Sequence, residues 1–565
     1  MTDTPIALTP ARCEADFGRA ASVFRRIRLI CSLAVCAVAV AQLAAQAPHE
    51  MSHHHAGPVP EEILGRPVPL RSGIGRMHEK ISTSSSAAQA FYDQGLAYLH
   101  SYVWIEAVRS FRQALRLDPN LAMSYVEMAD AYIGLEDVAA ARAACDRAQA
   151  RQGHMSEGER AWLLIREREL DYLEDSGNRD KYAAYQQAVE TAIKADPRDP
   201  WLWVQRGLAT EASPFTHGQA SGTNTLSPYS TALSLDPKNL AALHYSIHAN
   251  ENLGRIREAL DESASYARLA PAIPHAHHMH GHELMRMGRT DEAIQEFLIA
   301  NRLEESYYRT EKIPAQFDWH HAHNLLLLAL NYELLGKIKD AEALLRQAFA
   351  LPASTEFLAY NRKAWPEFLI DRGRFDEALN ASRELAASQW PMARLAGHTL
   401  AGTALLGLNR LSDAQQELTL AEHEAEQLPA RTVAALPYPA ALQGAILLRQ
   451  NRAKEGEEII VKVQDSLVAM PGPDAWIAAV FALESIARDT REAGDWDLAR
   501  FTAEKMIQQD PYYAGGHFAL GLVAEHAGET AGARPMFAEA DKLWSQGDRS
   551  LPELILTRKR LAEVR

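Results

Sequence analysis

The sequence predicts an all-α fold in which helix–turn–helix units stack into a right-handed superhelix. Alanine and leucine dominate the body of the 565-residue chain while β-branched runs are few, a composition that favours helix. Small and aromatic residues recur at the same positions about every 34 residues, which is the length of a tetratricopeptide repeat. Asp-Pro pairs fall where such a unit ends its second helix, at 118–119, 196–197, 236–237 and 510–511.

The first segment, residues 1–47, is predicted to be a signal peptide or an N-terminal membrane anchor. Arg25, Arg26 and Arg28 precede an apolar run over 29–41. That run is about 13 residues, shorter than the roughly 20 that span a bilayer. Small residues follow at 44–47, as they do at a signal-peptide cleavage site. We therefore expect an exported protein, and an uncleaved anchor associated with the membrane is the alternative.

Residues 48–86 are predicted to form a linker, because prolines interrupt helix formation there and a polar serine run closes the segment. It contains a histidine tract at His49 and His53 to His55, which can bind copper or nickel loosely. The alternative interpretation of the tract is a flexible exposed segment without function.

The repeats are predicted to form two arrays, over 87–350 and 351–545, followed by a C-terminal tail at 546–565. Small residues at repeat positions 8, 20 and 27 let helices approach closely, and a large residue at position 24 fills the remaining gap. Stacking then builds one continuous core. Residues 198–228 break the pattern and are expected to be an insertion. The unit that begins at Ala88 matches the whole pattern, with Gly95, Tyr98, Ala107, Phe111, Ala114 and Pro119.

Composition narrows the possible functions. Apolar residues make up 47% of the chain and charged residues 23%, as in soluble globular proteins. The net charge of −15 argues against nucleic-acid binding, because no basic stripe is present to contact phosphates. Motifs for phosphate-binding loops, dinucleotide folds and serine nucleophile elbows are absent from the sequence. Cys145, the one cysteine after the leader, is expected to be a small core residue.

A pair of histidines recurs after one repeat length. His244 and His248 lie one helical turn apart, and His278 and His282 follow 34 residues later. Positions 2, 5, 9 and 12 of a tetratricopeptide unit face the concave groove, and the four histidines occupy positions 5 and 9 of two neighbouring units. The same rule adds two groove residues, Glu251 at position 12 and His323 at position 2 of a later unit.

These residues are predicted to form a metal site. Spacing i, i+4 places two imidazoles on one helix face, and packed helices lie about 8–10 Å apart, so pairs from neighbouring units can reach one ion. Imidazoles with a carboxylate suit Zn, Cu, Fe or Ni rather than Ca or Mg. The alternative is a groove in which the histidines hydrogen-bond a peptide or one another. The candidate metal ligands are His244, His248, Glu251, His278, His282 and His323.

Other polar residues near these positions leave alternatives open. Glu283, beside His282, is expected to lie off the groove face and to be solvated. Asp318, Trp319, His320 and His321 can either rim the site or cap the helix that follows them.

Several segments resemble one bacterial tetratricopeptide family. Residues 243–251 read LHYSIHANE and are similar to its HYxIHAxE signature. Residues 277–282 read HHMHGH and, with RMGR at 286–289, resemble its HMPxH…RxGR stretch, although His280 stands where proline is usual. FYDQGL at 91–96 with AVRSF at 107–111, and HN at 323–324, resemble further parts. The likeness covers about 78–345. It implies a solenoid that is often exported, but no particular activity.

Taken together, the sequence predicts an exported scaffold that binds a peptide or protein partner in its concave groove and carries a candidate transition-metal site. The resemblance and the leader imply a bacterial protein that is periplasmic or anchored in the inner membrane. The alternative is a metal-binding protein or metal-dependent enzyme that uses the groove histidines. Catalysis would need an open coordination position and a base, so the sequence leaves enzymatic activity open.

Overall fold

The computed structural model describes residues 59–211, 216–353, 355–428, 436–470 and 472–563. The predicted leader and the histidine tract at 49–55 lie outside these residues. Within them, no helix is both long enough and apolar enough to cross a membrane.

The described chain is all-α, and strands are absent from these residues. Two short 3₁₀ turns, Gln152–His154 and Ala315–Phe317, accompany the α-helices. The α-helices in chain order are α1 Glu61–Leu64, α2 Ser86–Leu99, α3 Trp104–Leu117, α4 Ala122–Gly134, α5 Val138–Gln149, α6 Glu157–Leu173, α7 Arg179–Ala195, α8 Pro200–Leu208, α9 Thr223–Leu235, α10 Leu240–Asn252, α11 Ile256–Leu269, α12 Pro274–Arg286, α13 Thr290–Glu311, α14 Trp319–Leu334, α15 Ile338–Ala350, α16 Glu356–Asn361, α17 Ala364–Asp371, α18 Phe375–Ala386, α19 Pro391–Gly407, α20 Leu411–Glu426, α21 Tyr438–Arg449, α22 Ala453–Ala469, α23 Pro473–Glu492, α24 Trp496–Gln509, α25 Ala514–His526, α26 Thr530–Leu543 and α27 Pro552–Glu563.

Consecutive helices pack as pairs, and each pair packs on the next, as in a tetratricopeptide solenoid. The prediction of an all-α repeat fold is confirmed. The packing follows the expected size rule, because a glycine at position 8 faces a phenylalanine at position 24. A methyl group at the glycine would lie within 3 Å of the ring in three separate units, at Gly95 and Phe111, Gly281 and Phe297, and Gly521 and Phe537.

The turn after α10 shows how the helices that carry the site end. Gly254 has φ +71°, a left-handed conformation that glycine adopts without strain. The next amide, of Arg255, donates to the carbonyl of Asn250 at 2.8 Å. This is the Schellman arrangement, and it ends α10 shortly after the helical turn that carries His244 and His248.

Residues 198–228, expected to be an insertion, contain a helix pair instead. Helices α8 and α9 pack against each other, and a methyl group at Gly207 would lie 2.1 Å from the ring of Tyr229. The expectation was wrong for the described part because only the turn departs from the repeat pattern. The Gly/Ser/Thr-rich stretch between the two helices lengthens that turn.

The described part of the expected linker packs against the array as a strap, residues 59–85. Its apolar side chains Ile63, Ile74 and Met77 are buried. Arg66 donates to the carbonyl of Glu311 at 2.9 Å, a contact with the far end of α13. Apart from the single helical turn α1, the strap contains no helix, as the prolines predict, but it packs on the repeats instead of linking them to another segment.

The C-terminal segment likewise docks on the array. The region expected to be a tail contains α27, which packs on α26. Asp548, in the same region, accepts a hydrogen bond from the amide of Lys339 at 2.9 Å. Ser485 on α23 donates to Asp371 on α17 at 2.7 Å. The C-terminal repeats therefore close onto the middle of the chain and enclose the histidine-bearing wall.

Candidate metal centre

Three first helices of successive units, α10, α12 and α14, bring eight histidine side chains into one buried region. Their exposed fractions run from 0% to 8%. The histidines are His244, His248, His275, His278, His282, His320, His321 and His323.

The first cluster, called here the first trio, consists of His244, His248 and His275. The Nε2 atom of His244 lies 3.1 Å from Nε2 of His248 and 2.9 Å from Nε2 of His275. Three imidazole nitrogens thus converge on one point, at separations close to those of neighbouring ligands on a small metal ion.

The tautomer of His244 follows from its other nitrogen. Nδ1 of His244 lies 2.7 Å from the carbonyl oxygen of His100, which can only accept, so Nδ1 donates. In the neutral ring Nε2 then carries the lone pair. That single lone pair accepts one hydrogen bond well, yet two imidazoles face it. A metal ion would instead engage all three lone pairs together.

The second trio consists of His278, His282 and His323. The ring centroid of His278 lies 4.3 Å from that of His282 and 4.8 Å from that of His323. One ligand atom from each of the three can lie within 4.8 Å of the others, as is also true of the first trio.

Asn324 orients the second trio. Its Nδ2 donates to the carbonyl of Phe297 at 3.1 Å, which turns its Oδ1 toward Nδ1 of His278 at 2.9 Å. Nδ1 of His278 therefore donates, and its Nε2 presents a lone pair to the cluster. A ligand ring fixed through its second nitrogen is the usual arrangement at metal sites.

Unpaired nitrogens concentrate around the two trios. A buried polar atom without a partner costs about 1–3 kcal/mol, so folded proteins contain few. The region around the two trios therefore offers several nitrogen atoms to which a ligand could bind. Among the residues that the structure describes, six buried imidazole nitrogens here lack a hydrogen bond, namely Nδ1 of His275, Nε2 of His278, both ring nitrogens of His282, Nε2 of His320 and Nδ1 of His323.

Burial favours the neutral form of five of the six trio imidazoles. It lowers the pKa of His244, His275 and His278 well below the usual range, and neighbouring histidines add to the effect. Burial also lowers the pKa of His248 and His323 to about 4. Neutral imidazole is the form that binds metal, so these side chains present lone pairs at neutral pH without losing a proton first.

Two carboxyl groups lie beside the second trio. Oε1 of Glu251 is 3.4 Å from Nδ1 of His282. Burial raises the pKa of Glu251, but His282 and Arg286 outweigh burial and the net pKa is lowered, so Glu251 is an anion. Glu283, expected to be solvated, is fully buried; burial and the charge of Glu251 raise its pKa well above its ordinary value. The expectation was wrong because Glu283 faces Glu251 and Glu262 of the preceding unit rather than solvent.

The open alternatives at the start of α14 are now resolved. Asp318 caps the helix, because its side chain accepts from the amide of His320 at 2.9 Å. The ring of His320 lies 5.0 Å from that of His275 and 4.6 Å from that of His278, so it stands between the trios. Glu304 hydrogen-bonds both His320 and His321 and holds them in place.

The structure brings the six sequence-predicted ligands together but groups them differently. The four repeated histidines do not surround one point: each pair joins a third histidine to form a separate trio. His275 was missed, and His320 was named only as one of the residues that could rim the site. His275 stands at position 2 of its unit, so the rule that selected His323 would have found it. Nothing in the repeat pattern signals His320.

The same burial bears on the predicted partner site. The histidine wall is covered by the strap, α13 and α23, so a peptide does not reach these side chains in this structure. Binding of a protein or peptide elsewhere along the array stays a prediction, as do export and membrane association.

Comparison with known proteins gives the fold alone. The chain matches no family model and no curated protein. Similar solved structures include a tetratricopeptide repeat protein from Parabacteroides merdae, at 14% identity and TM-score 0.34 over 48% of this chain and 96% of that one. The Cut9–Hcn1 hetero-tetramer of the APC/C shares 12% identity at TM-score 0.31, over 85% of this chain and 96% of that one. Yeast Tom70 shares 13% identity at TM-score 0.25, over 85% of this chain and 89% of that one. At these scores the similarity carries no argument about function.

Proposed function

We propose that this protein binds transition-metal ions through its two trios, on a tetratricopeptide scaffold that encloses them. The observation that carries the proposal is the convergence of three Nε2 atoms in the first trio, where the carbonyl of His100 already uses the remaining nitrogen of His244. Hydrogen bonds among the rings leave at least one lone pair unused, whereas a metal ion uses all of them.

The donor set limits the choice of metal. Neutral imidazole nitrogens suit Cu, Zn, Fe and Ni, while Ca and Mg prefer oxygen ligands. Three histidines leave a coordination position for water or another ligand, which is the arrangement of catalytic rather than structural zinc sites. Whether the metal only binds or also catalyses depends on what occupies that position.

The nearby carboxylates offset the charge that a metal brings. A buried divalent cation is costly unless anions lie close by. Glu251 contacts His282 of the second trio, and its pKa is lowered despite burial. For Glu304, burial again raises the pKa, but contacts with His320 and His321 outweigh it. Both carboxylates are therefore anions before any metal arrives.

Metal analysis of the purified protein tests the proposal. The background should be the full chain with His49 and His53 to His55 replaced by serine, purified without an affinity tag, because that tract can bind metal on its own. We expect about two transition-metal ions per chain after growth in metal-replete medium.

Variants assign each ion to its trio. His275→Ala should remove the ion of the first trio and His323→Ala that of the second. His280→Ala is the matched control, since His280 lies on α12 but bonds Ser263 at 3.1 Å instead of joining a trio. A protein without stoichiometric metal, or one whose metal content is unaffected by both trio variants, contradicts the proposal.

A further inference from the structure

A cavity of about 500 Å³ adjoins the first trio. Its walls come mainly from four parts of the chain, namely residues 70–74 of the strap, 98–106 around the α2–α3 turn, 272–275 at the start of α12, and 303–320 from α13 to α14. The volume lies within the range of small-molecule sites, about 300–1,000 Å³. His275 belongs both to the cavity wall and to the first trio, so the cavity and the trio share one side chain.

Aromatic rings dominate the cavity wall. Trp104 and Trp319 stack with ring centroids 6.2 Å apart, and the ring of Tyr102 lies 4.8 Å from that of His275. Stacked and edge-on contacts with such rings favour a planar aromatic molecule over an aliphatic one of equal size. The six aromatic residues of the wall are Tyr98, Tyr102, Trp104, Tyr307, Phe317 and Trp319.

The charged groups of the wall are already paired. Arg109 bonds both Glu106 and Glu311, and Arg71 also pairs with Glu311. A charged ligand would have to break these pairs, so the wall favours an uncharged molecule.

One donor in the wall remains free. Within the described part of the chain, the buried Nε1 of Trp319 has no hydrogen-bond partner. An indole N–H can only donate, so the complementary group on a ligand is an oxygen acceptor. His275 and His320, each with one ring nitrogen that has no partner among the described residues, also line this cavity.

We propose that this cavity binds a small, uncharged, planar aromatic molecule with an oxygen acceptor, whose oxygen points toward the first trio. The metal contact rests on the proposed function, whereas the ring contacts do not depend on it. The strap closes the cavity on one side: the carbonyl of Gly73 accepts from the amide of Ala272 at 2.7 Å, and Gly73 has φ +79°.

Calorimetric titration with 2-naphthol tests the proposal on the full-length protein, both metal-loaded and metal-free. Decahydro-2-naphthol is the matched control ligand, because it has the same hydroxyl group and ring count without an aromatic face. We expect 2-naphthol to bind the metal-loaded protein at least about tenfold more tightly than its saturated analogue. Trp319→Phe should weaken 2-naphthol binding about 3- to 10-fold, since it removes one hydrogen-bond donor and keeps an aromatic ring.

A blocking variant locates the binding site. Ser306 is exposed on α13 and lines the cavity, so Ser306→Trp should fill the mouth and abolish binding. Glu305→Trp adds the same side chain at the neighbouring exposed position, which does not line the cavity, and should bind 2-naphthol as the wild type does. Equal binding by Ser306→Trp and the wild type overturns the proposal.

The outcomes separate this proposal from the proposed function. Absence of 2-naphthol binding to metal-loaded protein overturns the cavity inference and leaves the metal stoichiometry standing. A protein that takes up no metal fails the proposed function. The comparison of Ser306→Trp with Glu305→Trp on metal-free protein then decides the cavity inference by itself.

Discussion

Replacing His275 with leucine should have opposite effects on stability with and without metal. Leucine is close to histidine in size, and His275 is only 4% exposed. The change leaves no partner stranded in the first trio, because Nε2 of His244 still faces Nε2 of His248 at 3.1 Å. The comparison therefore isolates the role of one imidazole.

The expected change in stability, without metal and with metal, follows from the contacts of His275. Without metal, Nδ1 of His275 has no partner among the described residues, and such an atom costs about 1–3 kcal/mol. The metal-free His275→Leu variant should therefore equal the wild type in stability or exceed it by about 1–2 kcal/mol. With metal at about 1,000 times its Kd, the wild type gains about 4 kcal/mol and the variant loses most of this increment.

Amide hydrogen exchange of α12, followed by mass spectrometry, measures the free energy of local opening where the change is made. Each protein is compared in chelator and in excess metal. His280→Leu serves as the control on the same helix, and its effect should have the same sign under both conditions.

One result would refute the reasoning. If His275→Leu accelerates exchange of α12 by the same factor in chelator and in metal, the imidazole contributes through hydrogen bonds within a polar network. The metal interpretation of the first trio then fails, whatever the metal content of the whole chain.

Three further outcomes are expected. Asn324→Leu removes the acceptor that fixes His278 and should weaken metal binding about 10- to 100-fold in chelator competition, whereas unchanged affinity would contradict that role. Gly281→Ala places a methyl 2.8 Å from the ring of Phe297 and should lower stability by about 1–3 kcal/mol in thermal unfolding; Gly153→Ala, in open space, is its control. Burial raises the pKa of Glu211 to about 7, so the stability present below its ordinary pKa is lost as pH rises to 7, by about 3 kcal/mol. Glu211→Gln should flatten that pH profile between 4.5 and 7, and an unchanged slope would contradict it.

The repeat fold could be predicted because its cause is local. A glycine at position 8 and a phenylalanine at position 24 lie within one unit, and the pattern repeats wherever that contact is made. The same logic placed His244, His248 and His323 on the inner face. It also covers His275, at position 2 of the unit that begins at Pro274, but His275 was overlooked because it has no counterpart in the repeated i, i+4 pairs. It missed His320 because the cap by Asp318, which starts α14 there, is not a repeat feature.

The closure of the chain onto itself could not be predicted, because no period relates the partners. Arg109 on α3 meets Glu311 at the end of α13, and Asp474 at the start of α23 lies 3.7 Å from Nε2 of His323. Contacts of this kind join units that are far apart in sequence and depend on the curvature of the whole array. The strap could not be predicted for the same reason: its composition is that of a linker, and only contacts with distant repeats make it part of the core.

This closure favours the metal interpretation over the alternative of an open groove whose histidines only form hydrogen bonds. In an open groove water would satisfy each imidazole, and a repeated histidine pair would need no further explanation. Once the groove is enclosed, burial lowers the pKa of His248 to about 4, and Nδ1 of His275 and Nε2 of His278 are left without protein partners among the described residues. Neutral, converging imidazoles are costly to bury unless something binds their lone pairs. The partner that we propose for these lone pairs is one transition-metal ion in each trio.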